Sequence, residues 1–133
     1  MKKEIQQKYE EFQHLDQHIK QLQQQVTLID AQLTELRRID QSLDELKEIQ
    51  LDTEMFVPIG SGIFMKAALK ETKELLVNIG SNVIVKKEAE EAKTMLQNQI
   101  KELNEIFSYL EQELTQKITQ AQSLSEELER EAS

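Results

Sequence analysis

The sequence predicts a mostly helical α+β chain, a long antiparallel coiled-coil hairpin with two small β-hairpins at its base. Three observations support this prediction. Residues 1–57 and 81–133 contain neither glycine nor proline, which is typical of very long helices. Both stretches repeat apolar residues in a seven-residue register, the pattern of a coiled coil. The residues between them alternate apolar side chains around glycine-centred turns, which is typical of hairpins.

The N-terminal arm, residues 1–52, keeps its register over more than five heptads. Ten of its twelve core positions are apolar, and the two exceptions are Lys8 and Asp40. A register of this length is a strong coiled-coil signal. After Leu36 the next apolar residue is Ile39, a spacing of three residues where four are expected. This spacing predicts a local overwinding of the coil at that point.

The C-terminal arm, residues 88–133, has a register of its own. Nine of its ten core positions are apolar, and Lys117 is the exception. Because the arms match in length and a compact segment joins them, we expect antiparallel packing within one chain. The two chain ends would then meet at one distal tip.

Helix ends fray, and at this tip the two helices have only each other as partners. Packing within the chain accounts for most core positions, but at the tip we hypothesise intermittent exposure and contact with other proteins. Tyr9 lies off the strict register and has the clearest claim to exposure. The candidate contact set is Ile5, Tyr9, Phe12, Leu15, Ile118, Leu124 and Leu128.

The middle segment, residues 53–87, predicts two β-hairpins that are copies of each other. Apolar residues alternate on both sides of the turns Gly60-Ser61-Gly62 and Gly80-Ser81-Asn82. An offset of 20 residues aligns VPIGSGIFMK with VNIGSNVIVK, and five of the ten positions are identical. A glycine recurs at each turn because glycine adopts positive φ at little cost.

The hairpins predict an oligomer. Helices that already pack on each other leave an apolar strand face uncovered, and an isolated hairpin is marginal in water. We therefore expect the hairpins of several subunits to form a shared sheet or β-barrel platform. The alternative is a monomer in which the hairpins fold back over the base of the coil. The predicted interface residues are Val57, Ile59, Ile63, Met65, Leu75, Val77, Ile79, Val83 and Val85.

The charge distribution argues against binding to nucleic acid. Residues 1–52 carry a net charge of −4, residues 53–87 carry +2 and residues 88–133 carry −7. Acidic flanks repel phosphate backbones.

No apolar run approaches the ~20 residues that a membrane-spanning helix needs. The charged N-terminus lacks the apolar region of a signal peptide, so we expect a cytoplasmic protein that keeps its N-terminus.

The sequence offers no constellation for catalysis or for a cofactor. His14 and His18 share a helical face, but no third metal ligand is evident and both occupy polar heptad positions. Gly60-Ser61-Gly62 resembles a phosphate-binding loop only superficially, because no Gly-Lys-Ser/Thr follows. No nucleophile has an identifiable base partner. We therefore expect neither an enzyme nor a bound cofactor or metal.

The order of long helix, two glycine-centred hairpins and long helix resembles the prefoldin family, specifically its α-class subunit. The resemblance covers nearly the whole chain and includes VPIGSGIFMKAAL and VNIGSNVIVKKEAEEA. It is most specific at Val57–Ile59, Gly60, Gly80 and the Lys86-Lys87 exit into the second helix. The β-class has a single hairpin, so the duplicated hairpin is the discriminating feature.

The resemblance implies a hexamer in which two α-class subunits form the centre of a β-barrel platform, with four β-class subunits around it. It implies an ATP-independent holdase of the archaeal or eukaryotic cytosol. Such a holdase grips unfolded client proteins at the coiled-coil tips and passes them to a group II chaperonin. Some α-like members, the γ-class, instead assemble alone into filaments. A structural coiled-coil protein of that kind is therefore the alternative.

Overall fold

A computed structural model describes residues 2–132. Along the chain, two antiparallel hairpins lie between two long helices. The predicted fold class, a mostly helical α+β chain with two small β-hairpins, is confirmed. The elements in chain order are α1 (Lys2–Glu48), β1 (Glu54–Gly60), β2 (Ile63–Ala68), β3 (Glu74–Asn78), β4 (Ile84–Glu88) and α2 (Ala89–Ala132).

The chain divides into two compact units. The terminal unit consists of residues 2–34 and 102–132 among those described, and contains the first part of α1 and the last part of α2. The hairpin unit, residues 35–101, contains the remainder of both helices and all four strands.

In the terminal unit the helices run antiparallel and pack through the predicted apolar register. Antiparallel packing follows from Lys8 near the start of α1, whose Nζ lies 3.5 Å from a carboxylate oxygen of Glu127 near the end of α2. Leu22 and Leu33 are buried on α1, and Leu33 is only 2% exposed. Burial of a leucine side chain contributes about 1.5–3 kcal/mol. The apolar register therefore stabilises this unit.

In the hairpin unit the shift in the heptad register does not lie at Ile39, where the sequence placed it. Leu36, Asp40, Leu43 and Leu46 are half-buried, whereas Ile39 is 38% exposed. Asp40 therefore keeps the core position that the heptad register gives it, and Ile39 does not take its place. The three-residue spacing instead begins at Asp40 and continues from Leu43 to Leu46.

A basic side chain of α2, Lys93, lies near the half-buried Asp40. Lys93 lies close enough for the Asp40 carboxylate to raise the pKa of its ammonium group, although the hydrogen bond from Lys93 to Asp44 is the larger cause. One carboxylate oxygen of Asp40, Oδ1, is buried without a hydrogen-bond partner. The nearby positive charge offsets part of the cost of placing this carboxylate in the seam.

Two ion pairs connect the helices beside Asp40. Lys93 on α2 pairs with Asp44 on α1, and Lys47 on α1 pairs with Glu90 on α2. The hydrogen bond from Lys93 holds the pKa of the Asp44 carboxyl below its ordinary value of 3.8. Both pairs again require an antiparallel arrangement of α1 and α2 within this unit.

Acid should weaken the Asp44 pair, since the folded state lowers the pKa of this carboxyl. The stabilisation is fully present above the ordinary value of 3.8 and is lost as the pH falls through the lower folded value. We expect the difference in unfolding free energy between wild type and Asp44→Asn, measured by urea denaturation, to shrink between pH 6 and pH 2. Asp16→Asn, in the exposed helical pair with Lys20, is the matched control. A difference that does not change with pH would contradict the assignment.

The first hairpin (β1 and β2) and the second hairpin (β3 and β4) form separate two-stranded sheets. Val57 pairs with Met65 in the first, and Val77 pairs with Val85 in the second. A bulge between Pro58 and Gly60 interrupts the first ladder before its turn. The predicted strand pairs therefore form, in antiparallel register.

The turns of the two hairpins share one backbone form. In the second, the N–H of Val83 donates to the carbonyl of Gly80 over 2.9 Å, and Ser81 and Asn82 have φ of 50° and 62°. In the first, Ser61 and Gly62 have φ of 50° and 76°. Two central residues with positive φ define a type I′ turn, whose twist matches that of the strands. The sequence duplication is therefore a structural duplication.

Candidate interaction surfaces

The first hairpin exposes apolar side chains on both of its faces. Phe56 and Phe64 are 69% and 58% exposed on one face. Val57 and Met65, paired across the ladder, are exposed on the other face. Ile59 and Ile63 are exposed beside the turn. An apolar surface of this kind is typical of a site for another protein chain.

The second hairpin is partly shielded on one face and shares a crevice with the helices of its own unit. Leu75, Val77 and Val85 are half-buried, and the first two line an apolar crevice of about 420 Å³ with residues of both helices. The apolar face of this hairpin is therefore less open than that of the first hairpin. Its turn remains open, since Ile79 and Val83 are both exposed.

Four exposed large apolar side chains on the strands of the hairpins lie outside the predicted interface set. They are Phe56, Phe64, Leu76 and Ile84. Alternation along the strands places them on the face that also carries Lys66, Asn78 and Lys86, so that face is not uniformly apolar. Their size and apolar character are the sequence features that could have identified them as interface candidates. Leu76, at 71% exposure, is the most exposed large apolar side chain among the described residues.

The predicted contact set of the terminal unit ranges from exposed to buried. Ile5 and Tyr9 are 36% and 56% exposed. Leu124 is 8% exposed and packs in the seam. The remaining members are half-buried, and they are Phe12, Leu15, Ile118 and Leu128. The structure thus gathers the set on one end of the terminal unit, with α1 supplying its exposed side chains.

Lys8, the polar exception in the register, connects the helices at this end. Its Nζ pairs with the Glu131 carboxylate and lies 3.5 Å from that of Glu127. The hydrogen bond to Glu131 raises the pKa of Lys8 above its ordinary value. The ammonium group therefore remains charged, and it joins α1 to α2 where an apolar residue would otherwise sit.

The described residues contain no group of three or more acidic, histidine or cysteine side chains arranged to hold a metal ion. His14 and His18 are exposed on α1. Neither helix has an apolar stretch of the length and character needed to cross a membrane, within the part of the chain described.

Two long helices that run antiparallel within each unit, and two separate hairpins with exposed apolar side chains, define a coiled-coil protein that contains β-hairpins. The family model described as "Prefoldin subunit" matches residues 15–133, which is most of the chain. The chain belongs to the prefoldin family, as its hairpins predicted, and prefoldins are chaperones that assemble with other prefoldin subunits.

Two curated relatives are similar to part of the chain. The prefoldin subunit alpha of Methanobrevibacter smithii is 42% identical over 53 residues, which cover 40% of this chain and 36% of the relative. That of Methanopyrus kandleri is 35% identical over 46 residues, which cover 35% of this chain and 29% of the relative. The matched segments thus span about a third of each relative's length.

A solved structure shares the fold. Filamentous PFD from Methanocaldococcus jannaschii, determined by cryo-electron microscopy, superposes with a TM-score of 0.77 at 24% identity. The match covers 89% of this chain and 98% of that one. At this identity the likeness concerns the fold.

Proposed function

We propose that this protein is a subunit of an ATP-independent holdase chaperone in the cytosol. The proposal depends on the exposure of apolar side chains near the chain ends. Ile5 and Tyr9 are exposed there, in the terminal unit. Membership in the prefoldin family supports a chaperone role. In this proposal the chain ends bind non-native proteins, and the hairpins join the subunits.

The exposed groups suit weak and unselective binding. Tyr9 offers a large apolar body with a hydroxyl, and no deep pocket surrounds it, so shape places few demands on a client. Several subunits in one assembly raise the effective concentration of such sites, which lets weak contacts retain an unfolded chain. The hairpins would join this chain to β-class prefoldin subunits, and a group II chaperonin would receive the client.

A second function is self-assembly into a filament. The similarity to a filamentous prefoldin favours it, and so do the apolar side chains on both faces of the first hairpin. A filament subunit of this kind would serve as a structural element without client duty. Native mass of the protein alone, and after mixing with a single-hairpin relative, separates the two assemblies.

The function is tested by aggregation of a chemically unfolded model protein, followed by light scattering. We expect a stoichiometric excess of the assembled protein to suppress scattering, equally with and without ATP, because the sequence offers no phosphate-binding loop. The matched control is an equal mass of an unrelated coiled coil of similar charge. Suppression that requires ATP, or that does not exceed the control, would contradict the proposal.

A further inference from the structure

We propose that Lys8, Glu127 and Glu131 form an electrostatic clasp that holds the chain ends closed and limits the access of clients to the seam beneath. The inference rests on the proposed function, and it adds a means of regulating the same site. Lys8 lies on α1 and both carboxylates lie on α2, so the ion pairs connect the two helices. The glutamates are four residues apart on one face of α2, and one ammonium group contacts both.

The clasp covers apolar side chains that a client would need. Leu124 and Ala121 are 8% and 9% exposed while the ends are closed. Ile5 and Tyr9 remain exposed under the same condition. The closed end therefore offers only part of the apolar contact set. Separation of the helices would add Leu124 and the half-buried Leu128.

The helix termini are poorly stabilised by their own charges. Lys2 and Lys3 begin α1, whose N-terminal dipole disfavours positive charge, and Glu129 and Glu131 end α2, whose C-terminal dipole disfavours negative charge. Glu4 and Arg130 offset this only in part. With the ends closed, Lys8 pairs with Glu131 in the last turn of α2 and offsets the unfavourable charge there. Closing of the ends and the stability of the last turn of α2 are therefore coupled.

The side chains of the clasp are accessible to solvent and ions. The exposed fractions are 30% for Lys8, 46% for Glu127 and 35% for Glu131. An exposed ion pair shifts an equilibrium by about 1.5- to fivefold, and 1 M salt reduces the screening length to about 3 Å. We therefore expect a reversible clasp that salt opens.

The clasp is tested by the distance between the helix ends, without a client. The native chain has no cysteine, so Gln6→Cys with Ala132→Cys places spin labels only at these two positions. Wild type should show a short distance at low salt and a growing longer-distance population as salt rises to 1 M. Lys8→Glu should enlarge that population about three- to tenfold at low salt, because three carboxylates then face each other.

Two further variants separate the clasp from general effects of charge. Lys8→Met restores an apolar residue to the register, so its distance should stay short at every salt concentration. Lys20→Glu changes the net charge equally but removes only the pair with Asp16 on the same helix, so its distance should match wild type. Identical distances for wild type and Lys8→Glu at all salt concentrations would overturn the clasp.

Client holding gives the second measurement. At low salt, Lys8→Glu should suppress aggregation at a lower concentration than wild type, by about three- to tenfold, and Lys8→Met should need more protein. Open ends with unchanged holding would overturn the gating role. If no variant holds a client, the proposed function fails together with gating, and the distances alone then decide whether the clasp exists.

Discussion

Replacing Ile63 and Met65 by aspartate should dissociate the assembly into subunits. Both side chains are more than half exposed on the first hairpin, so the isolated chain has little packing to lose. In the assembly they would lie in a shared sheet, where an uncompensated buried charge costs about 3–5 kcal/mol. We expect the apparent dissociation constant to rise at least about 100-fold, as measured by sedimentation velocity at micromolar concentration.

The control for this experiment is Leu28→Asp with Tyr109→Asp. These residues are 63% and 61% exposed in the terminal unit, and the charge change is the same. The control should keep the wild-type mass, and circular dichroism should show retained helicity for both variants. A wild type that is already monomeric, alone and with a single-hairpin relative, would contradict assembly through the hairpins.

Deleting residues 1–12 together with 122–133 should abolish aggregation suppression and leave the oligomer intact. The deletion removes the exposed pair Ile5 and Tyr9 and the buried Leu124, but it leaves every strand. We expect at least a tenfold loss of suppression at equal subunit concentration, because the removed side chains supply most of the apolar area at the chain ends. Sedimentation would report the oligomer, and light scattering would report the client.

A gentler variant tests the same site without shortening the helices. Ile5→Gln with Tyr9→Gln removes two exposed apolar groups, and glutamine is a good helix former. Leu28→Gln with Tyr109→Gln is the matched control within the same unit. Holding that survives both the truncation and the gentler variant would move the client site elsewhere, most simply to the hairpins.

The long-range arrangement of the helices was predictable because it depends on repetition. Leu22 and Leu33 fall on the predicted register, and both are buried. The turn at Gly80 and Asn82 was likewise predictable, because positive φ limits the residues that fit. Regular patterns of this kind constrain the backbone before any tertiary contact is known.

The sequence did not predict which residue faces the other helix where the heptad register shifts. Hydrophobicity alone favours Ile39 over Asp40 in the core, yet Asp40 is the half-buried residue. The charge of Lys93 on α2, whose ion pair is with Asp44, lies near Asp40 only when α2 packs beside α1. A one-dimensional pattern contains no information on which charge the other helix supplies at that level.

Alternation along a strand also leaves the covered face undetermined. Alternation correctly placed Val77 and Leu76 on opposite faces of the strand. It did not predict which of the two would be less exposed. Val77 is half-buried and Leu76 is 71% exposed, although both line the crevice beside α1 and α2. The roles of the predicted interface and client residues stay predictions until they are measured.

The most direct test of the central claim is photo-crosslinking of an unfolded client from single positions. The Cys-free chain allows one benzophenone label at Tyr9→Cys, Leu28→Cys or Phe56→Cys, where the native side chains are 56%, 63% and 69% exposed. Similar exposure makes the yields comparable. The account predicts that the label at position 9 forms at least about tenfold more client adduct than the label at either other position. Adduct formed mainly from position 56, with little from position 9, would contradict it.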